Sequence, residues 1–283
     1  MTAVLLSGRE LATQMRNDTA ATARALRAAG TSPVLAVVTA TADEASASYV
    51  RSIARAAARA EVNSEIHDLG PEASEGDIRD RLAKLSDDPA VHGIILQTPL
   101  PGGVSSIALA DAIDPAKDVD GANPVSLGRL VVGLPAFAPA TAEAVLKLLD
   151  HHDIGLSGRH VVVVGRSTVV GKPVAHLLLA RDATVTICHS RTADLAEHTR
   201  QADVLVVAAG RAGLVTGAHL RTGCCVIDVG TNTDGSGGIV GDVEAASVLH
   251  VAGALSPVPG GVGPVTSALL VEHTVRAAAP AAG

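Results

Sequence analysis

The chain has 283 residues, of which 47% are hydrophobic and 18% are charged, with a formal net charge of −7. This composition is typical of a folded globular protein and excludes a disordered chain. One Tyr, one Phe and no Trp exclude an aromatic stacking platform for single-stranded nucleic acid. The acidic balance also argues against a phosphate-backbone binder, so we expect no nucleic-acid partner.

The remaining composition predicts a cytoplasmic protein without a metal site. Cys188, Cys224 and Cys225 have no metal-ligand spacing and are interpreted as buried thiols in a reducing compartment. The 11 histidines show no metal-ligand spacing either. The N-terminal residues lack the basic start of a signal peptide, and no apolar run approaches the roughly 20 residues that span a bilayer.

Helical and strand patterns alternate along the first part of the chain. The predicted elements are helix 8–28, strand 33–38, helix 44–60, strand 62–67, helix 75–86 and strand 91–96. Loop-like segments rich in Pro, Gly and Asp then follow at 99–103 and 114–133. Strands that alternate with helices predict a doubly wound α/β layer around a parallel sheet.

A helix predicted over 141–152 connects this part to a second one, where the alternation restarts. The predicted elements are strand 160–165, helix 169–180, strand 184–188, helix 193–199, strand 204–209, strand 224–229 and helix 264–278. Pro264 is expected at the first position of the final helix. This order is typical of a dinucleotide-binding half.

A glycine turn follows the first strand of the second part and leads directly into a helix. Gly165 and Gly171 are separated by five residues, which departs from the common G-x-G-x-x-G pattern. Unpaired N–H groups and the helix dipole at such a junction form an anion site. The turn therefore predicts a dinucleotide phosphate site, with an ordinary strand-to-helix turn as the alternative.

The strand predicted over 184–188 ends in CHSRT and lacks a terminal carboxylate. Asp or Glu at this place would accept the ribose hydroxyls of NAD. A 2′-phosphate requires cations and hydroxyls instead, and Arg166, Ser190 and Arg191 can supply them. These residues favour NADP, and a solvated loop charge is the alternative for Arg191.

Three places in the first part of the chain, two single residues and one turn, are candidates for a substrate site. Tyr49 is the only tyrosine and shares a helix face with Ile53. Gln97 follows a strand at its carboxyl end, where ligands of open α/β sheets bind. Asp118 and Asp120 place two carboxylates on one turn. Core packing of Tyr49 and turn chemistry for one of the carboxylates are the alternatives.

The proline- and glycine-rich segment 257–264, PVPGGVGP, is a further candidate. Its backbone carries few side chains and can approach a flat ligand closely. Pro259, Gly260 and Gly261 are the residues expected to do so. A rigid connector is the alternative.

These segments together resemble the bifunctional methylenetetrahydrofolate dehydrogenase/methenyltetrahydrofolate cyclohydrolase family over essentially the whole chain. The matching stretches are ASASYVRS, GIILQTPLP, PAKDVDGANP, VVGRSTVVGKPVAHLLL, TVTICHSRT, ADVLVVAAG, VIDVG and PVPGGVGPVT. The resemblance implies two α/β domains around a cleft, usually in a homodimer. It places a folate domain at 1–138 with 264–283 and a Rossmann-like NADP domain at 139–263.

The resemblance also implies an activity and its residues. Members oxidise methylenetetrahydrofolate with NADP, and most then hydrolyse the methenyl product to 10-formyltetrahydrofolate. Tyr49 would pack against the folate, Gln97 would assist at the reacting centre and Asp120 would hydrogen-bond the pterin. The PGGVGP loop, residues 259–264, would lie beside both ligands. NADP would be held by Gly165, Arg166, Ser167, Val170, Gly171, Ser190, Arg191 and Thr231.

One departure from the family concerns its central lysine, whose position is occupied here by Ile53. The lysine helps proton transfer and water attack, and isoleucine can neither donate nor accept a proton. Hydride transfer depends mainly on placing the donor carbon against the nicotinamide. Arg51 and Arg55 point to other faces of the helix. We therefore expect a dehydrogenase with weak or absent cyclohydrolase activity, as in members that lack this lysine.

Other departures gather on the folate side. Thr98 replaces a usual leucine, and the family's PCTP is here Ala136-Phe137-Ala138-Pro139. They leave two alternatives open. One is a divergent paralogue that acts on another one-carbon or imine substrate, and the other is a non-catalytic folate- or NADP-binding protein.

Overall fold

The computed structural model describes residues 2–235 and 237–280, except for the side chain of Ala45. In chain order its helices and strands are β1 Val4–Leu5, α1 Arg9–Ala28, β2 Val34–Thr39, α2 Glu44–Arg59, β3 Asn63–Asp68, α3 Glu75–Asp87, β4 Gly93–Leu96, α4 Ser106–Ala110, α5 Pro124–Val131, α6 Ala140–His151, β5 His160–Val164, α7 Gly171–Leu179, β6 Thr184–Cys188, α8 Leu195–Thr199, β7 Val204–Val207, β8 Cys225–Asp228, β9 Asn232–Thr233, β10 Ile239–Val240, α9 Ala245–Val248, β11 Ala254–Leu255 and α10 Val262–Ala278. None of these described helices has the length and apolar character that a membrane crossing requires.

The chain forms two compact units, which we name by their sheets. The six-stranded unit holds the residues up to Ala12 together with Thr141–Thr266. The three-stranded unit holds Thr13–Ala140 and the residues from Ser267 onward. The chain passes from one unit to the other within α1, at the start of α6 and within α10.

The six-stranded unit contains a parallel sheet in the order β1-β11-β8-β7-β5-β6. Its central strands β5 and β7 are almost continuous runs of Val and Leu, and nearly all residues of β5, β7 and the adjacent β8 are buried. Such runs are typical of parallel strands that are covered on both faces. The fold class predicted from the alternation is confirmed in this unit.

The three-stranded unit contains the parallel sheet β3-β2-β4. Its core joins the buried faces of β2, β4 and α3 through Val38, Ile94, Ile78 and Leu82. A second apolar cluster contains residues of α1, α2 and α10. β3 forms an edge of the sheet, and only two of its six residues are even partly buried.

The structure differs from the predicted elements in four respects. The N-terminal segment lies in the six-stranded unit, outside the predicted 1–138 domain, because Val4 and Leu5 pair with β11. α5 occupies part of 114–133, which the composition predicts as a loop. α10 begins at Val262, so Pro264 is its third residue rather than its first. The short elements β1, α4, β9, β10, α9 and β11 were not predicted.

The unpredicted helix α5 depends on the buried side chain of Asn123. Its Oδ1 accepts a hydrogen bond from the Val125 N–H at 2.7 Å, which caps the helix. Its Nδ2 donates to the carbonyl oxygens of Ala110 at 3.2 Å and Ile113 at 2.8 Å. One side chain therefore joins α5 to the end of α4.

Replacement of Asn123 by Ala should lower the free energy of unfolding by about 2–4 kcal/mol, because it removes a helix cap and the two buried hydrogen bonds to the carbonyl oxygens of Ala110 and Ile113. Urea denaturation measures this change. The control is Asn63→Ala on the exposed edge strand, which should change it by less than about 0.5 kcal/mol. Equal effects of the two substitutions would contradict the role given to Asn123.

Candidate active site

The predicted phosphate turn closes tightly on the carboxyl end of β5. Gly165 has φ +131°, and a Cβ atom there would collide with the carbonyl oxygen of Ala208, which follows β7. The Gly165 N–H donates to the carbonyl oxygen of Cys188, the last residue of β6, at 2.8 Å. The turn is thus held between the ends of the two neighbouring strands, where only glycine fits.

The far end of the turn returns to its start. A Cβ atom on Gly171 would collide with the carbonyl oxygen of Gly165, so the two backbones touch. The Ser167 hydroxyl accepts hydrogen bonds from the N–H groups of Val170 at 3.2 Å and Gly171 at 3.3 Å. These contacts form a cradle of bare backbone at the N-terminus of α7. Its shape and dipole fit the pyrophosphate of a dinucleotide.

Two exposed guanidinium groups lie on the loops at this edge of the sheet. Arg166 follows β5 and Arg191 follows β6, whose last residues Val164 and Cys188 are paired in register. Within the described chain, neither guanidinium has a carboxylate partner, whereas Arg181 pairs with Asp150 at 2.6 Å. Two unpaired cations and the exposed Ser190 hydroxyl fit a phosphate monoester.

The loops after β7 and β8 are held by a carboxylate that the sequence analysis missed. Asp242 is fully buried, and it accepts hydrogen bonds from three successive backbone N–H groups. The donors are Ala209 at 2.6 Å, Gly210 at 2.9 Å and Arg211 at 2.8 Å. Asn232 Nδ2 donates to the same carboxylate at 2.9 Å. These bonds satisfy the charge and fix the loop after β7.

A second buried carboxylate, Asp228 at the end of β8, supports the first. It accepts from the N–H groups of Gly230 at 2.9 Å, Asp242 at 3.0 Å and Val243 at 3.0 Å. Burial raises the pKa of Asp228 to about 6. The predicted cofactor residue Thr231 follows Gly230 and is exposed at the end of this network.

Among the described residues, no group of three or more His, Cys, Asp or Glu side chains is placed so that it could hold a metal ion.

The segment 259–261 also belongs to the six-stranded unit. The Val258–Pro259 peptide bond is cis, and Gly260 has φ +115°. The Gly8 N–H donates to the carbonyl oxygen of Gly260 at 2.9 Å, and the Gly261 N–H donates to that of Pro257 at 2.7 Å. The start of α1 therefore fixes the shape of this segment.

Tyr49 and Asp120 are brought close together in the three-stranded unit, and both are partly buried. Burial raises the pKa of Tyr49, and the charge of Asp120 raises it further. Burial, together with the Asp118 carboxylate, raises the pKa of Asp120 to about 7. The neighbouring His273 and a hydrogen bond from the Ala140 N–H act in the opposite direction and lower the pKa of Asp120.

The two carboxylates of the 118–120 turn have different surroundings. Asp118 is fully buried and accepts from the N–H groups of Ala122 at 3.0 Å and Asn123 at 2.8 Å. Asp118 therefore stabilises the turn, and turn chemistry accounts for one of the two carboxylates. Asp120 is the member that remains accessible beside Tyr49.

Gln97 lies at the end of β4, close to the start of α2. Its Nε2 donates to the carbonyl oxygen of Thr98 at 2.5 Å. The Ser46 hydroxyl, one turn before Tyr49, donates to the same oxygen at 3.2 Å. The first turn of α2 and the Gln97 amide thus meet at Thr98, whose peptide bond to Pro99 is cis.

Ile53 is fully buried one turn after Tyr49. Arg51 and Arg55 are exposed, and Arg51 pairs with Glu44 at 2.7 Å. Neither guanidinium replaces a lysine at position 53. Tyr49 therefore has the Asp120 carboxyl group nearby, and position 53 on the same helix carries no amine.

The two halves of the chain match two domains of one enzyme family. Residues 6–120 match the tetrahydrofolate dehydrogenase/cyclohydrolase catalytic domain, and residues 139–282 match the NAD(P)-binding domain of the same family. The chain belongs to the tetrahydrofolate dehydrogenase/cyclohydrolase family. The family predicted from the sequence motifs is therefore confirmed, together with the α/β fold class and the enzyme class.

Relatives and solved structures of this family cover nearly the whole chain. The bifunctional protein FolD 1 of Rhodococcus jostii (strain RHA1) is 63% identical over 273 residues, which are 96% of this chain and 92% of that protein. The crystal structure of the bifunctional enzyme FolD from Campylobacter jejuni gives a TM-score of 0.94 at 38% identity, over 98% of both chains. The Trypanosoma brucei enzyme complexed with NADP cofactor and inhibitor gives 0.93 at 35% identity, over 98% of both chains.

The raised pKa of Asp120 predicts a pH dependence of stability. The folded protein keeps the Asp120 proton up to about pH 7, whereas the unfolded chain releases it near pH 4. Stability therefore falls as the pH rises between these values. Asp120→Asn removes this contribution and should gain about 1–3 kcal/mol relative to the wild type from pH 4 to pH 7.

Urea denaturation at several pH values measures this difference. The exposed Asp80→Asn variant on α3 is the control and should keep the wild-type dependence. Parallel stability curves for the wild type and Asp120→Asn would show that Asp120 does not hold its proton in the folded state.

Proposed function

We propose that this member of the family oxidises 5,10-methylenetetrahydrofolate to 5,10-methenyltetrahydrofolate with NADP, and that its cyclohydrolase activity is weak or absent. The observation that carries the proposal is the contrast between a complete cofactor cradle and the fully buried Ile53. The NADP complex of the Trypanosoma brucei relative supports the choice of cofactor. The FolD relatives support the choice of a folate substrate.

The residues of the six-stranded unit would bind the cofactor. The Gly165–Gly171 cradle would hold the pyrophosphate, while Arg166, Ser190 and Arg191 would hold the 2′-phosphate. Asp242 keeps the loop after β7 in place, and Thr231 lies on the neighbouring loop. When bound, NADP supplies the acceptor for a hydride from the methylene carbon.

The residues of the three-stranded unit would bind and orient the folate. Tyr49 offers an aromatic face, Asp120 offers a carboxylate for the N–H groups of the pterin, and Gln97 offers an amide at the end of β4. The hydride leaves the methylene carbon with its electron pair, so this oxidation requires no acid or base from the protein. Placement of the donor carbon is the main requirement, and it does not need a lysine at position 53.

Hydrolysis of the methenyl product makes a different demand. A water molecule must attack the bridging carbon and lose a proton, and a positioned base accelerates this step. Ile53 has no group that accepts a proton, and Arg51 and Arg55 are exposed on the surface. The proposal therefore separates the two activities at a single position.

The direct test of the dehydrogenase is an absorbance assay of the purified protein with methylenetetrahydrofolate and NADP. NADPH and methenyltetrahydrofolate should appear together and in equal amounts. Absence of both products at every accessible substrate concentration would overturn the proposal.

Ile53→Lys should introduce cyclohydrolase activity, because it supplies the missing amine one turn after Tyr49. The variant should also lose about 2–5 kcal/mol of stability, because an ammonium group replaces a buried apolar side chain. Disappearance of added methenyltetrahydrofolate measures the activity, and urea denaturation measures the stability. Ile53→Met is the matched control, since it is unbranched but uncharged.

A different outcome of this substitution would favour another substrate. If Ile53→Lys folds and binds NADP but neither binds folate nor gains cyclohydrolase activity, the site has been remodelled beyond one residue. Phe137, which belongs to the stretch that departs from the family's PCTP, is a specific reason to consider this. Its ring lies 5.0 Å from that of His273 and 4.5 Å from the Arg276 guanidinium carbon. His273 is a neighbour of the candidate substrate residue Asp120. Another one-carbon or imine compound would then be the second candidate substrate.

We also propose a cytoplasmic homodimer. Three buried cysteines support a reducing compartment, since all are free thiols, and burial raises the pKa of Cys224 and Cys225 to about 12. The dimer rests on the family resemblance. Light scattering of the purified protein tests it through the molar mass.

A further inference from the structure

The four residues after β6 form a turn that is closed by its own side chains. The His189 N–H donates to the Thr192 hydroxyl at 2.9 Å, and the Thr192 N–H donates to the carbonyl oxygen of His189 at 2.8 Å. The Arg191 N–H donates to His189 Nδ1 at 3.2 Å. His189 and Thr192 at the base are partly buried, whereas Ser190 and Arg191 at the tip are exposed.

The base of this turn is fixed to the cofactor cradle. The Gly165 N–H donates to the carbonyl oxygen of Cys188 at 2.8 Å, directly before His189. Arg166 extends from the cradle side and Arg191 from the turn side, and neither has a carboxylate partner in the described part of the chain. A dianionic group bound here would need both loops to keep their positions.

We propose that His189 and Thr192 are positioning residues that set the preference for NADP over NAD by fixing Ser190 and Arg191 at the tip of the turn. The inference rests on the proposed function, since it concerns the same cofactor. His189 and Thr192 need not contact the cofactor themselves. Their effect is limited to the binding of the 2′-phosphate.

The physical reason is the entropy of an exposed loop. Ordering a flexible arginine and its backbone upon binding weakens the affinity, and bonds that already hold the turn remove part of this penalty. Only a ligand with a 2′-phosphate uses the tip of the turn. Loss of the Thr192 hydroxyl should therefore weaken NADP binding and leave NAD binding almost unchanged.

The test compares NADP and NAD affinities in Thr192→Val, Thr192→Ser and the wild type by calorimetry. Thr192→Val keeps the shape of the side chain but removes the hydroxyl. It should raise the dissociation constant for NADP about three- to tenfold and that for NAD less than about twofold. Thr192→Ser keeps the hydroxyl and should return the ratio of the two constants close to the wild-type value.

A matched control lies on β6, the strand that leads into this turn. Thr186→Val removes a hydroxyl that lies 2.9 Å from His160 Nε2, away from the turn. It should leave the ratio of the NADP and NAD dissociation constants unchanged. If Thr192→Val weakens both ligands equally, Thr192 has a general structural role and the inference is wrong.

The ratio of the NADP and NAD dissociation constants in the wild type distinguishes a failure of the positioning role from a failure of the NADP assignment. A wild-type protein that prefers NADP, with an unchanged ratio in Thr192→Val, overturns the inference and leaves the proposed cofactor intact. A wild-type protein without a preference for NADP overturns the cofactor assignment and the inference together.

Discussion

The parallel pairing of β5 with β6 and β7 is the constraint on which the cofactor half depends. Val164 is paired with both Cys188 and Val207, so the three strands end at the same level of the sheet. Their loops must therefore leave from one edge. A glycine is required at 165 because the backbone of Ala208, directly after β7, leaves no room for a Cβ atom. The same edge carries both unpaired guanidinium groups and the loop that Asp242 fixes.

In the three-stranded unit, burial determines which candidate residues can reach a ligand. Buried side chains there support the fold, and partly buried ones remain accessible. Asp118 is buried and bonded to backbone N–H groups, while Asp120 stays partly accessible beside Tyr49. Ile53 lies on the same helix as Tyr49 but is fully buried. A lysine at position 53 would place an ammonium group in this apolar environment. It would therefore lower the stability of the fold unless the surrounding residues changed as well. The proposed loss of the second reaction thus agrees with the packing.

Long elements could be predicted from the sequence because their periodicity is local. Strand 184–188 was predicted with its observed bounds, and the bounds predicted for α1 and α2 differ from the observed ones by one residue at one end. β1 has two residues and is defined only by pairing with β11, about 250 residues later, so no local signal marks it. α5 was hidden by Pro124 and Gly128, although Asn123 before Pro124 is a typical helix start.

In the candidate site, too, residues with a local sequence signal could be predicted, and residues defined by distant contacts could not. Gly165, Ser190 and Arg191 were predicted because turns after strands have recognisable sequences. Asp242 was missed because its backbone partners lie 31 to 33 residues before it, and the flanking Gly241 was the only nearby signal. The roles of the predicted site residues toward folate and NADP stay predictions that binding experiments must test.

In the proposed function, the buried Ile53 separates oxidation from hydrolysis. The most direct measurement adds methenyltetrahydrofolate alone to the wild-type protein and follows its disappearance. We expect methenyltetrahydrofolate to disappear at the rate of its spontaneous hydrolysis in buffer, whatever the protein concentration. Hydrolysis that accelerates in proportion to the protein would contradict it, because a group other than a lysine at position 53 would then activate the water.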